Sequence, residues 1–272
     1  MINEETRSAI KGFLEGFIQG LIEQHRPGVR HTMVREAHAV YRSPKGILKP
    51  FHEAIIPPEI LRISSFERSF STKLGTTFEE CARLIALQTY AVAERGYRAS
   101  GKMSAAAAAK IEEIVSRINE GHTPDFPALI AEVLQVGGED EEWVERLVIA
   151  DLYLKDQAGH EYFFEIKSPK PNKGQCLEVA ERLLRIHAIT QKNRPHVNAY
   201  FAMAYNPYGT HLEDYRHSFG LRYLDMQNGV LLGADFWTLV GGEGTHEELL
   251  EIYREVGREK GKAMIDALAF GF

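Results

Sequence analysis

Two short apolar runs near the middle of the chain constrain its fold more than any other feature. They are LVIADLYL at 147–154 and EYFFEIK at 161–167. Both are rich in β-branched and aromatic residues, which fit a pleated, half-buried surface. Between them lies Asp156-Gln157-Ala158-Gly159, a cluster of turn formers. The pattern predicts a β-hairpin.

The flanking segments predict what covers it. Over 3–25, Ile10, Phe13, Leu14, Phe17, Ile18, Leu21 and Ile22 follow the spacing of one apolar helical face, and Pro27 and Gly28 end the helix. Residues 26–58 carry Pro44, Gly46, Pro50, Pro57 and Pro58 and read as loops or short irregular elements. From 59 to 135 the chain reads as helical, with one helix over 76–95 capped by Thr76 or Thr77. A second helix, over 105–119, is capped by Ser104, and Gly137 and Gly138 then break the chain. After the hairpin come a loop at 168–174 and an amphipathic helix at 175–190, with Glu178 spaced to pair with Arg182. A third strand at 196–205, a mixed stretch at 209–245 and a closing helix at 246–268 complete the order. This is an α/β fold, a mixed β-sheet flanked by helices with a helical N-terminal region. The expected organisation is a single domain over 1–272. It has a mainly helical region at 1–135 and an α/β core at 147–272, on which the helix 76–95 packs.

Composition narrows the class. With 272 residues and 44% hydrophobic content the chain can bury a sizeable core. No apolar run reaches the ~18–20 residues of a membrane span, and MINEETRSAIKGF lacks the features of a secretory signal. Two cysteines make no disulfide framework, so the expected location is cytoplasmic. The net charge of −6 argues at first against a nucleic-acid partner. The charge is segregated, however. Residues 26–53 hold six Lys/Arg against two acids, and 167–194 hold seven against two. A local polyanion site is compatible with that distribution, as are two solvated basic surfaces.

Alternation sorts the hairpin faces. Val148, Ala150, Leu152 and Leu154 share one face of the first strand, and Leu147, Ile149, Asp151 and Tyr153 the other. In the second strand Glu161, Phe163, Glu165 and Lys167 share a face. A three-residue loop with Gly159 in the left-handed region pairs Asp156 with His160 and sets Asp151 opposite Glu165. Cβ atoms so placed are ~4.5–5.5 Å apart. Two carboxylates that close repel unless a cation or proton sits between them, and a hard cation such as Mg²⁺ suits oxygen ligands. Lys167 reaches the same space. The plain alternative is a polar patch on an exposed sheet face.

Asp151, thirteen intervening residues and then Glu165-Ile166-Lys167 resemble the PD-(D/E)XK nuclease signature, with Ala150 in place of its proline. The longer stretch FFEIKSPKPNKGQ, with LGTTFEECARLIA upstream and DFWTLVGG downstream, resembles the TdeIII-type family of type II restriction endonucleases. The resemblance implies a restriction-endonuclease-like core and Mg²⁺-dependent hydrolysis of double-stranded DNA. Asp151, Glu165 and the Ile166 carbonyl would hold metal, and Lys167 would orient the attacking water or help deprotonate it. The superfamily often adds an acid from a preceding helix. Glu79 and Glu80 are the candidates, and Glu80 is preferred because it shares a stripe with Leu84 and Leu87, whereas Glu79 sits beside Arg83. Lys170, Lys173, Arg182 and Arg185 would contact DNA phosphates. The resemblance further implies a partner methyltransferase and a palindromic GGNCC-like site, and a palindromic double-strand cut with one active site per chain is most simply met by a homodimer. The rivals are a repair or junction-cleaving nuclease of the same superfamily and a non-catalytic DNA-binding protein. Other signals are weaker. The glycine-rich 241–245 segment reads as a helix entry, and the histidine pairs lack zinc spacing. Cys176 has no nearby base.

Overall fold

A computed structural model describes residues 1–25, 50–136, 143–190 and 196–267. Of the predicted loop region 26–58, residues 26–49 with the helix-ending Pro27 and Gly28 lie outside the described residues, as does the Gly137-Gly138 break, while its end is not loop but a short helix, Pro50–Ile55, and the start of another at Pro58. The chain divides into two compact units. One comprises 1–6 and 78–248, the other 7–77 and 249–272.

The described part of the second unit is helical. Its elements are most of α1 (Glu4–His25), α2 (Pro50–Ile55), the first part of α3 (Pro58–Ala86) and most of α9 (Thr245–Ile265). The apolar face expected of α1 is buried at Ile10, Leu14, Ile18, Leu21 and Ile22. Ion pairs tie α1 to α9 around that seam, Arg7 to Glu255 at 2.5 Å and Lys11 to Glu259 at 2.7 Å. The Thr77 and Tyr253 hydroxyls lie 2.8 Å apart.

The described residues of the first unit are built on five strands: β1 (Val92–Ser104), β2 (Trp143–Lys155), β3 (Glu161–Ile166), β4 (Val197–Met203) and β5 (Val230–Leu232). Their spatial order follows the chain. β1, β2 and β3 pair antiparallel, while β3, β4 and β5 pair parallel. The parallel step from β3 to β4 needs a crossover, which α6 (Lys173–Thr190) supplies. Cys176, Val179, Ala180, Leu183 and Leu184 of α6 are buried on one sheet face with Ile111, Ile114 and Ile118 of α4 (Ala105–Asn119). α5 (Phe126–Gln135) adds Phe126, Leu129 and Val133 to the same core. Between β4 and β5 lies α7 (Ser218–Tyr223), and α8 (Ala234–Gly241) follows β5. α8 serves the opposite face, where Phe236 packs edge-on against Phe164 and the Trp237 indole donates to the Ala204 carbonyl at 2.8 Å.

The mixed sheet, the hairpin, α6, the third strand and the closing helix match the sequence expectations. Ser104 caps α4 as expected, accepting from Ala107 N at 3.1 Å. The segment 59–135 does not match as a wholly helical region. The expected helix 76–95 is instead the end of α3, which begins at Pro58 and stops at Ala86, and β1 follows. Thr76 and Thr77 are no caps, since their hydroxyls donate back to the Lys73 and Leu74 carbonyls within the helix. β1 carries a period-2 pattern, Ala93, Ala99 and Met103 buried and Arg98, Ser100 and Lys102 exposed. Its small residues read as helix formers between two true helices. At Gly101 the strand passes so close to α6 that any Cβ would strike the Ile189 carbonyl.

Candidate active site

The hairpin has the expected register. Leu152 pairs with Phe164 and Lys155 with Glu161. Asp156 N donates to the His160 carbonyl at 3.0 Å, and Gly159 takes φ 92°, closing a three-residue loop. One step beyond Leu152–Phe164, the register sets Asp151 opposite Glu165. There the ladder changes character, because Ile166 N–H donates to Asp151 Oδ2 at 2.8 Å. A carboxylate takes the amide that a strand carbonyl would otherwise accept, which pins the Asp151 side chain to the end of β3.

The facing pattern of β2 differs from strict alternation. Val148 and Ala150 join the core cluster that holds Tyr153 and Phe163. Leu152 pairs with Phe164, whose ring meets Phe236 on the other face. The strand therefore changes phase at Asp151. Opposite it on β1 stands Gly96 at φ 60°, while the pairs on either side, Arg95–Leu152 and Tyr97–Ala150, keep register. A non-glycine residue rarely adopts that backbone, so Gly96 permits the local kink. The kink sits where the candidate catalytic carboxylate emerges.

Glu165 is 1% exposed. Its Oε1 receives both Lys167 Nζ at 2.5 Å and Arg182 Nη1 at 2.6 Å. Its Oε2 is buried without a hydrogen-bond partner. Burial pushes the Glu165 pKa up, the Asp151 charge adds to this, and the two cations oppose it. Lys167 also reaches Asp151 Oδ2 at 3.4 Å. Burial disfavours its ammonium, but Glu165 and Asp151 outweigh that and raise its pKa. No group of three His, Cys, Asp and Glu side chains able to hold a metal occurs among the described residues. The oxygen donors gathered here are two carboxylates and the adjoining strand carbonyls.

Both candidate helix acids lie near the end of α3. Glu80 is gripped by Arg83, at 2.6 and 3.0 Å, and by Arg95 Nη1 at 3.2 Å. The Arg83 hydrogen bond is the main cause of its lowered pKa. Glu79 pairs with Arg95 at 2.8 Å. Burial raises its pKa, and it also feels the charges of Asp151 and Lys167. Arg83 is thus the partner of Glu80, not of Glu79 as its position suggested, and Glu79 is the acid electrically coupled to the hairpin site. Sequence reasoning passed over Arg95, whose signal was its place in the unrecognised strand β1.

The four basic residues assigned to phosphates are placed differently. Arg182 holds Glu165 and, as expected, Glu178, the latter at 2.7 Å. Arg185 pairs with Glu181 at 2.5 Å. Lys170 lies over the Tyr208 ring, 5.4 Å from its centroid. Lys173 donates to the Asn119 carbonyl at 3.2 Å and lies over Tyr223. The loop carrying Lys170 is anchored, since Tyr215 OH donates to the Pro169 carbonyl at 2.7 Å and His217 Nε2 meets that of Pro171 at 2.8 Å. Cys176 is fully buried and its thiol is pushed up to about 11, so it stays protonated at neutral pH.

The HinfI type II restriction endonuclease family matches residues 4–257, nearly the whole chain. The chain belongs to the HinfI family of type II restriction endonucleases. Curated relatives agree. The type II restriction enzyme HgiCII of Herpetosiphon aurantiacus is 46% identical over 265 residues, covering 95% of this chain and 96% of that protein. HgiEI and HgiBI of the same organism are 45% and 44% identical over 262 residues each, with the same coverage. This HinfI-family enzyme is therefore a site-specific deoxyribonuclease, a hydrolase of restriction–modification systems that acts on DNA. The resemblance to the TdeIII-type family holds at the level of that class, while the family shown is HinfI. No helix among the described residues is long and apolar enough to cross a membrane.

Proposed function

We propose that Asp151, Glu165 and Lys167 form the cleavage centre of this restriction enzyme, in the manner of the PD-(D/E)XK superfamily and the TdeIII-type enzymes. The observation that carries this is the buried Glu165 carboxylate facing Asp151, with Oε2 unpartnered. A buried carboxylate oxygen without a donor is costly, and a cation relieves it. The contacts of Asp151 run through Oδ2, which leaves Oδ1 for a ligand. Asp151, Glu165 and the Ile166 carbonyl would hold Mg²⁺, a hard cation that takes such oxygens. Mg²⁺ supplies Lewis acidity toward a water and the scissile phosphate. Lys167, kept charged by both carboxylates, orients the attacking water and steadies charge developing on the phosphate. Arg182 holds Glu165 in place. The helix acid is Glu79 rather than Glu80, because Arg83 and Arg95 both hold Glu80, while Glu79 shares only Arg95 and feels the charges of Asp151 and Lys167.

On this reading the chain acts as a single endonuclease domain in the cytoplasm. Lys170 and Lys173 contact DNA phosphates, and the target is a short, GGNCC-like double-stranded site protected by a methyltransferase. Two copies form a homodimer, the simplest way for one active site per chain to cut both strands of a palindrome. Asp151→Ala or Glu165→Ala should abolish cutting in Mg²⁺ while DNA binding persists. Near wild-type cutting by either variant would refute the centre.

A further inference from the structure

Beyond the cleavage centre, β1 and β2 form a two-stranded ribbon of thirteen residues each, joined by twelve register pairs. One face of its outer part is buried at Ala99, Met103, Val148 and Ala150. The other face presents Arg98, Ser100 and Lys102 of β1 beside Glu145, Leu147 and Ile149 of β2. All six are exposed, Leu147 and Ile149 at 45% and 46%. Leu147 and Ile149 side by side form a small exposed apolar patch. Arg98, paired across the strands with Ile149, has no ion-pair or hydrogen-bond partner among the described residues, and neither does Lys102.

We propose that this exposed ribbon face enters the major groove of the DNA substrate beside the cut and that Arg98 reads a base there. The proposal rests on placing the cleavage centre at Asp151. Three observations favour DNA as the occupant. The two free cations give the face a net positive charge against one acid, in a chain of net charge −6. Ile149 stands two residues before Asp151 on one continuous strand, so a duplex with its phosphate at Asp151 runs along this face. From Ile149 to Glu145 the strand spans about 13 Å, roughly four base pairs, and a two-stranded ribbon fits the major groove. In that setting an unpaired arginine suits the paired acceptors of guanine, and Ile149 and Leu147 suit apolar base edges such as the thymine methyl. A second copy of the chain is the competing occupant, and the experiment separates the two.

The test compares cutting of the mapped target site with cutting of its single-base variants. Arg98→Ala should lower kcat/KM on the target by about 5- to 150-fold, the 1–3 kcal/mol of one bidentate base contact converted at 1.4 kcal/mol per tenfold. On sites altered at one particular base pair the loss should be far smaller, so discrimination collapses at that position alone. Arg98→Lys keeps the charge but not the fork, and should not restore selectivity. Unchanged melting of both variants shows that the exposed position is not structural. Three results would overturn the proposal. One is an equal loss on every site, restored by lysine, which is a phosphate contact. Another is unchanged cutting and selectivity. The third is a lost dimer in sedimentation with selectivity intact. Failure of the cleavage centre would show separately, as cutting by Asp151→Ala, and leaves this comparison readable.

Discussion

Arg182 is the residue whose role the structure changes most, and replacing it gives the sharpest test of how the site is held. The sequence places it on a basic helix and suggests a phosphate contact. In the structure its guanidinium donates to Glu165 Oε1 at 2.6 Å and to Glu178 at 2.7 Å. Arg182→Met keeps the apolar stem and removes the charged head. The lost bond to a buried carboxylate is worth about 1.5–3 kcal/mol. The lost contact with the exposed Glu178 adds only about 0.3–0.5 kcal/mol. Lys167 stays on the same oxygen at 2.5 Å, so Glu165 is not left wholly uncompensated. The expected destabilisation is therefore about 2–3 kcal/mol, or a fall in Tm of roughly 4–9 °C. Cutting should slow because Glu165 is less well positioned, while the salt dependence of DNA binding stays as it was. Thermal melting and a salt titration of binding measure the two arms. A stable variant whose binding slope falls by about one unit would refute the reasoning and make Arg182 a phosphate ligand.

Three other outcomes follow from the same geometry. Glu79→Gln should cut the rate at least about tenfold with little loss of stability, whereas Glu80→Gln should cost about 0.3–1 kcal/mol of stability and leave cutting near normal. The reverse pair of results would return the helix acid to Glu80. Gly96→Ala should lose about 1–2 kcal/mol, since Ala at φ 60° is strained, and should slow cutting by relaxing the kink at Asp151; an unaffected rate would detach the kink from the chemistry. Asp225 accepts from Phe126 N, Gln227 N, Asn228 N and Asn228 Nδ2, at 2.9 to 3.0 Å. Burial opposes its charge, but those donors outweigh it and hold its carboxyl below the usual range. Its stabilisation is thus present above the ordinary carboxyl pKa and lost as pH falls through the lowered one. Asp225→Asn should therefore melt lower at neutral pH and converge with the wild type in acid.

The parts of the fold legible in the sequence were those with one strong period or a defined turn. The α1 face, the hairpin runs and the Ser104 cap each specify a local conformation, and each is where it was expected. Gly159 fixed the loop length, and with it the register that opposes Asp151 and Glu165. β1 was not legible because Ala93, Ala99 and Gly101 are poor strand formers chosen for another reason. Ala99 joins the core that α6 covers, and Gly101 has no room for a side chain beside Ile189 of α6. Tertiary packing overrode propensity there.

The site follows the same division. A motif records which groups stand near each other along two paired strands, so Asp151, Glu165 and Lys167 could be read together. It does not record what the remaining charges do, because that depends on helices meeting the sheet from elsewhere in the chain. Helical spacing put Glu80 on an apolar stripe and made it look unpaired. Arg95, on a strand the spacing could not reveal, supplies one of its partners and also holds Glu79, which feels the charges of Asp151 and Lys167. The same argument applies to α6. Its basic composition looked like a phosphate surface, yet Arg182 and Arg185 neutralise carboxylates. Among the described residues, Arg98 and Lys102 of β1 are cations left without partners, in the segment least readable from sequence. In an acidic chain the charge free to meet DNA is found only after the internal pairs are subtracted, and that subtraction needs the fold.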